Sequence, residues 1–144
     1  MIKLNDYKKE IITFINQGET EFITENNSIK TIGIYANPLN GWITLNFNKQ
    51  INLDQTEMNC PDFEYVEYKI LEVNDWQEEY NNNPIQISDH QNRIIEMYED
   101  VKDDQFNEPF FNFLKHIIRK LSPEIKADEI FIQILDSQYQ EQIK

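Results

Sequence analysis

The chain has 144 residues, a net charge of −13, 40% hydrophobic residues, one cysteine and only three glycines. That length leaves room for one domain over residues 1–144, because a single core of this size buries about 68–70% of the unfolded surface, and nine Phe, seven Tyr and two Trp supply the core against disorder. The lone Cys60 excludes an internal disulfide, and no stretch approaches the ~18–20 consecutive apolar residues of a membrane span. With three glycines there is no phosphate loop, nucleophile elbow or dinucleotide fingerprint.

Taken in chain order, the spacing predicts a first helix over about 6–17, capped by Asn5, with Tyr7, Ile11, Phe14 and Ile15 on one face and Gly18 as its left-handed stop. Residues 19–28 are polar and read as a connection. Ile32, Ile34 and Ala36, then Ile43, Leu45 and Phe47, alternate with polar or small residues around Asn37-Pro38-Leu39-Asn40-Gly41, the pattern of an antiparallel hairpin. Phe63 to Val73 reads as a third strand. Asn74 with Gln77 resembles a capping box opening a short helix, Asp75 to Tyr80, stopped by Asn81-Asn82-Asn83-Pro84.

Ser88 with Gln91 repeats that signature, and a second helix over about 89–102 would place Ile94, Met97, Tyr98 and Val101 on one stripe. The next helix is capped by Asn107, carries Pro109 in its first turn and runs through Phe110, Phe113, Leu114, Ile117, Ile118 and Leu121 to Ser122-Pro123. Residues 129–135 form a last strand, apolar on both faces and so central. The order predicts an α+β domain: a mainly antiparallel sheet of about four strands packed by an N-terminal helix and C-terminal helices.

The charge is concentrated. Residues 51–110 hold sixteen acids against Lys69, Arg93 and Lys102, while the segments before and after each balance five acids with five bases, so the middle carries the whole net charge. Within it acids interleave with aromatics: Asp62, Glu64 and Glu67 beside Tyr65 and Tyr68; Asp75, Glu78 and Glu79 beside Trp76 and Tyr80; Glu99, Asp100, Asp103 and Asp104 beside Tyr98. Aromatic anchors flanked by steering charges suit a protein interface. The acidity speaks against nucleic acid and anionic membranes and for a basic protein. Glu99 to Asp104 would end the 89–102 helix, where carboxylates oppose the macrodipole at a small cost in stability.

Reactive chemistry finds little support. Cys60 has no local nucleophile signature, and its acidic neighbours would raise a thiol pKa. His90 and His116 lack companions at zinc-ligand spacing, and the acid cluster lacks the glycine and ligand alternation of a calcium loop. No catalytic residue, metal or other cofactor is expected. The opening residues MIKLNDYKKE carry charges where a signal peptide needs an apolar run, so a cytoplasmic location is expected.

Ile32-Gly33-Ile34-Tyr35-Ala36-Asn37 through Phe47, Glu72-Val73-Asn74-Asp75-Trp76-Gln77-Glu78-Glu79-Tyr80, the helix Phe110 to Leu121 and the closing strand Asp128 to Asp136 together resemble small bacterial immunity domains encoded beside polymorphic and contact-dependent toxins. The resemblance is one of order and texture over most of the chain. It implies a cytoplasmic protein that binds a cognate toxin domain, a basic nuclease for example, and blocks its active site or substrate groove. Two other readings stand beside it: a regulatory or scaffolding module docking a basic cellular protein, and a metal-dependent hydrolase.

Overall fold

A computed structural model describes residues 1–82 and 85–144. Strand β1 (Ile2–Lys3) and a 3-10 turn lead into helix α1 (Lys8–Asn26); the hairpin β2 (Thr31–Asn37) and β3 (Trp42–Asn48) follows, then β4 (Tyr65–Glu72) and α2 (Asn74–Asn81). A second hairpin, β5 (Ile85–Ser88) and β6 (Ile94–Met97), precedes α3 (Lys102–Leu121), β7 (Glu129–Ile134) and β8 (Gln140–Gln142). The fold is α+β, with a five-stranded sheet ordered β4-β3-β2-β7-β8 and a three-stranded sheet ordered β1-β5-β6.

In the large sheet only β2 and β7 run parallel. Ile32, Ile34, Ile43, Leu45, Phe47, Ile130 and Ile132 face the helices and join one core with Phe14, Phe22, Phe110 and Phe113. Alternate residues turn to the other face, where the 49–64 connection covers them: Leu53, Cys60 and Phe63 pack on Phe131. This explains why Phe131 is buried although it faces away from the helices. A Cβ on Gly33 would lie 2.6 Å from Phe63 Cε2, so the covering segment sits directly against the backbone. Side chains of β7 hold that segment down: Glu129 Oε1 accepts from Leu53 N at 2.9 Å and Gln133 Oε1 from Cys60 N at 2.8 Å.

Several boundaries depart from those predicted. Gly18 does not stop α1; it lets the helix approach the sheet, where an added Cβ would fall 2.2 Å from Leu45 Cδ1. The polar stretch after it stays helical because Phe22 stacks on Phe47 at 4.3 Å and the buried Glu19 carboxylate accepts from the amides of Lys126 and Ala127. Asn27, at φ 71°, supplies the left-handed stop instead. Asn5 caps nothing, and its amide donates to His90 O and Asn92 Oδ1.

The predicted 89–102 helix is the largest miss. Asp89 accepts from the amides of Gln91 and Arg93, bending the chain into a turn in which Asn92 sits at φ 63°, and Ile94 to Met97 return as a strand. With that helix gone, α3 begins at Lys102, so Asn107 and Pro109 lie inside it rather than at its start. No capping box forms at Asn74. The predicted loop 81–84 falls partly on Asn83 and Pro84, which lie outside the described residues.

Gly41 closes the first hairpin at φ 72°, and a Cβ there would meet Val73 O at 2.2 Å, a backbone atom that cannot swing away. Gly41→Ala is therefore expected to cost about 2 kcal/mol, from the left-handed backbone together with the displaced strand-to-helix junction. Chemical denaturation measures it.

Candidate interaction surface

The sheet register sorts the acids into two groups. Asn37, Trp42 and Glu72 lie at one end of the large sheet, and Thr31, Asn48 and Tyr65 at the other. The two ends are separated by about 20 Å, the length of a seven-residue strand at ~3.3 Å per residue. Asp62 and Glu64 belong to the far end. There the Glu64 carboxylate accepts from the amides of Lys49, Gln50 and Ile51 at 2.8–3.1 Å, and Asp62 accepts from Asn59 at 3.0 Å. Burial raises the Glu64 pKa, but the three amides outweigh it and leave the carboxyl below its ordinary value. Glu67 stands on the β4 edge at φ 53°, where the pairing with β3 shifts register. These three do not join the other acids in one face.

The near end gathers the rest. β4 delivers the chain there, so α2 presents Asp75 and Glu78 as exposed residues, while Glu79 meets the N-terminal ammonium at 3.1 Å. Trp76, expected as a partner anchor, is fully buried: its ring makes edge contacts with Tyr7 and Phe110 at 5.1 Å and with Phe106 at 6.1 Å. It is a core residue that ties α2 to α3, because α2 has one apolar side and that side faces inward. Tyr80 is half-buried and donates a hydrogen bond to Asp103. Burial, then the Asp103 and Glu99 charges, push its phenol pKa well up, so it stays protonated. Tyr98 is exposed, with its hydroxyl 3.2 Å from Glu96.

Glu99, Asp100, Asp103 and Asp104 do come together, around the start of α3 rather than the end of a helix. There they complement the macrodipole, so the stability cost expected from the sequence disappears. With Asp136, which follows β7, they line a cleft of about 680 Å³ at the carboxyl ends of the parallel strands β2 and β7. Among the described residues that line the cleft, Lys102 is the one cation beside these five carboxylates. Lys102 is buried against the wall, its Nζ 4.2 Å above the Tyr80 ring and 3.8 Å from Glu99. Asn107 lies one turn further along α3 and also lines the cleft.

Asp136 and Asn107 were not expected at a site. Asp136 is far from the acidic segment in sequence, its only signal being a closing strand that ends in an acid. Asn107 resembled a helix cap.

At the opposite end of α3, about 20 Å along its axis at 1.5 Å per residue, His116 packs beside His90 with ring centroids 5.1 Å apart and the rings tilted by 37°, near Lys115, Arg119 and Lys120. Burial first, then Lys120 and His90, lower the His116 pKa. The helix is thus acidic at its start and basic at its end. Cys60 is buried, and burial raises its thiol pKa far above the usual value. Among the described residues no group of three or more His, Cys, Asp or Glu side chains is placed to hold a metal ion, and no helix is long and apolar enough to cross a membrane.

No family model matches this chain at a significant level, and neither does any curated protein or solved structure.

Proposed function

We propose that this chain is an acidic immunity-type protein that captures a basic toxin domain and occludes its active site or substrate groove. The observation that carries the reading is the clustering of Glu99, Asp100, Asp103, Asp104 and Asp136 about one cleft, on a chain whose net charge is −13. A nuclease holds phosphates with Lys and Arg, and a wall of carboxylates competes for the same side chains. The acids of α2 lie at the same end of the sheet and extend the attractive field, while Asp62, Glu64 and Glu67 serve other elements. Steering of this kind raises the rate of encounter more than it lengthens the life of the complex.

The test begins with the product of the adjacent gene. Co-expression with this chain is expected to relieve any growth arrest that product causes, with a stable complex on purification. Replacing Glu99→Gln, Asp100→Asn, Asp103→Asn and Asp104→Asn together is expected to slow association about tenfold or more at low salt, with the difference fading as salt is raised. An on-rate untouched by the four substitutions, or an adjacent protein that neither binds nor is neutralised, overturns the reading.

A further inference from the structure

The positive end of α3 runs against the composition of the chain. Both histidines and four of the thirteen Lys and Arg residues, Lys8, Lys115, Arg119 and Lys120, gather there on a molecule of net charge −13. His90, Asn112, Lys115, His116, Arg119 and Lys120 line a cleft of about 340 Å³, and among the described residues no carboxylate joins that lining. Glu141 pairs with both Lys115, at 3.6 Å, and Arg119, at 3.1 Å, so two cations share one acid. Among the described residues Lys120 makes no ion pair, and neither imidazole nor the Asn112 side chain makes a hydrogen bond.

Helix electrostatics accounts for only part of this arrangement. Cations offset the macrodipole at a helix C-terminus, but the effect falls off beyond the last turn. That covers Arg119 and Lys120, since α3 ends at Leu121. It does not cover His90, which arrives from the turn between β5 and β6, or Lys8, which stands in the first turn of α1, where a cation opposes that helix's own dipole. Other parts of the chain hold His90 in place: the buried Asp89 fixes the turn through the amides of Gln91 and Arg93, and Asn5 Nδ2 donates to His90 O at 3.1 Å. Two imidazoles are thus fixed 5.1 Å apart among four cations, where burial, Lys120, His90 and Lys8 all oppose a proton on His116.

A bound anion turns that repulsion into attraction. Donors come from several side chains on two elements, which suits the three or four oxygens of a tetrahedral oxyanion better than the two of a carboxylate. The cleft is wider than one such ion needs and leaves room for a group that carries it. A polyanion would meet the acidic remainder of the surface, whereas a small anion feels mainly the local charges, because salt screens beyond about 8 Å.

We propose that the cleft between the β5–β6 turn and the end of α3 binds a phosphate-class oxyanion, held by Lys120, His116 and the Asn112 amide, with the His90 ring closing one side. The proposal is independent of the capture of a basic partner, which uses the other end of α3. The charged groups around His116 are Lys8 from α1, His90 from the turn, Lys115, Arg119 and Lys120 from α3 and, through two of these, Glu141 of β8. A bound anion favours the protonated ring, and by reciprocity the protonated ring binds the anion more tightly. Affinity therefore rises as pH falls through the His116 pKa.

The experiment is a titration of the full-length, ¹⁵N-labelled protein at constant ionic strength with inorganic phosphate, glycerol 3-phosphate and sulfate, with sodium chloride as the reference. Saturable shifts are expected for the amides of His90, Asn112, His116 and Lys120, and the His116 ring protons are expected to titrate at higher pH when phosphate is bound. Sulfate keeps its charge across the range, so its affinity reports the protein alone and is expected to rise about tenfold from about pH 7.5 to about pH 5. Lys120→Gln is expected to weaken phosphate about tenfold, the value of one hydrogen bond to a charged group. His116→Gln keeps a donor and is expected to abolish the pH dependence of sulfate binding. Lys49→Gln, in the segment that covers the opposite face of the sheet, is the control expected to change neither.

Tighter binding of glycerol 3-phosphate than of inorganic phosphate supports a monoester as the ligand, and equal binding supports the free anion. Shifts that chloride reproduces, or that grow without saturation, are ionic screening and overturn the proposal. So does an affinity indifferent to both Lys120→Gln and His116→Gln, or a sulfate affinity flat in pH, because the ion would then lie away from His116.

Discussion

Trp76→Ala is expected to cost about 3–5 kcal/mol, the range for deleting a large aromatic from a packed core, and to lower Tm by roughly 10 °C for a chain of this size. The indole is fully buried between three rings from two parts of the chain: Tyr7 from the N-terminal turn, and Phe106 and Phe110 from successive turns of α3. Its removal leaves a cavity at the junction of α2 with both helical neighbours. Tyr80 reaches the cleft from the end of the same short helix, so the loss would also loosen one wall of the proposed binding site. Trp76→Phe keeps most of the ring contacts and should recover much of the stability. Urea denaturation of the two variants, with partner affinity measured below their unfolding transitions, separates core from contact. A residue that touched the partner would lose affinity at unchanged stability, whereas the buried position predicts stability loss first.

The same residue shows why the acidic segment was only half legible. Interleaved acids and aromatics describe a surface strand, an interface helix and the exposed rim of a core helix equally well, and Asp75-Trp76-Gln77-Glu78-Glu79 is the last of these. The strands were readable because Ile32 to Ala36 and Ile43 to Phe47 alternate cleanly around a turn that needs Gly41. In the long final helix the stripe from Phe110 to Leu121 was readable for the equivalent reason, its period of 3.6.

What failed had local signals overruled from a distance. Gly18 reads as a stop until Leu45 is placed opposite it. Asn107 reads as a cap until the preceding helix dissolves and α3 extends backward by six residues. That backward extension is what assembles the site, because it moves Asp103 and Asp104 into the first turn of α3 beside Asp136. Asp136 is separated from them by thirty-two residues or more, and it reaches the cleft only because β7 pairs parallel to β2 and ends level with Ala36. No period within the acidic segment contains that information.

Asp89→Ala is expected to cost about 2–4 kcal/mol, since hydrogen bonds to a charged group contribute about 1.5–3 kcal/mol each and are not additive. The carboxylate is 2% exposed; Oδ1 accepts from the amides of Gln91 and Arg93, and Oδ2 from Arg93 Nε, all at 2.9 Å. The Arg93 side chain is 69% exposed, so solvent screens the ion pair and the two amides carry most of the effect. Burial alone would raise the Asp89 pKa, but the Arg93 amide and guanidinium and the Gln91 amide outweigh it and hold it below the free aspartate value of about 3.9.

The folded pKa is therefore depressed, and the linked stability is present above the unfolded value and lost as pH falls through the folded one. The gap in unfolding free energy between the native chain and Asp89→Ala should then be constant from neutral pH down to about pH 5 and shrink below about pH 4. Asp89→Asn, which keeps an oxygen for the two amides but no charge, should fall between them and show little of that acid dependence. A gap that widened in acid would mean that Asp89 folds protonated. The turn would then be held by its shape rather than by its charge, and His90, which that turn carries onto His116, would owe its position to β5 and β6 alone.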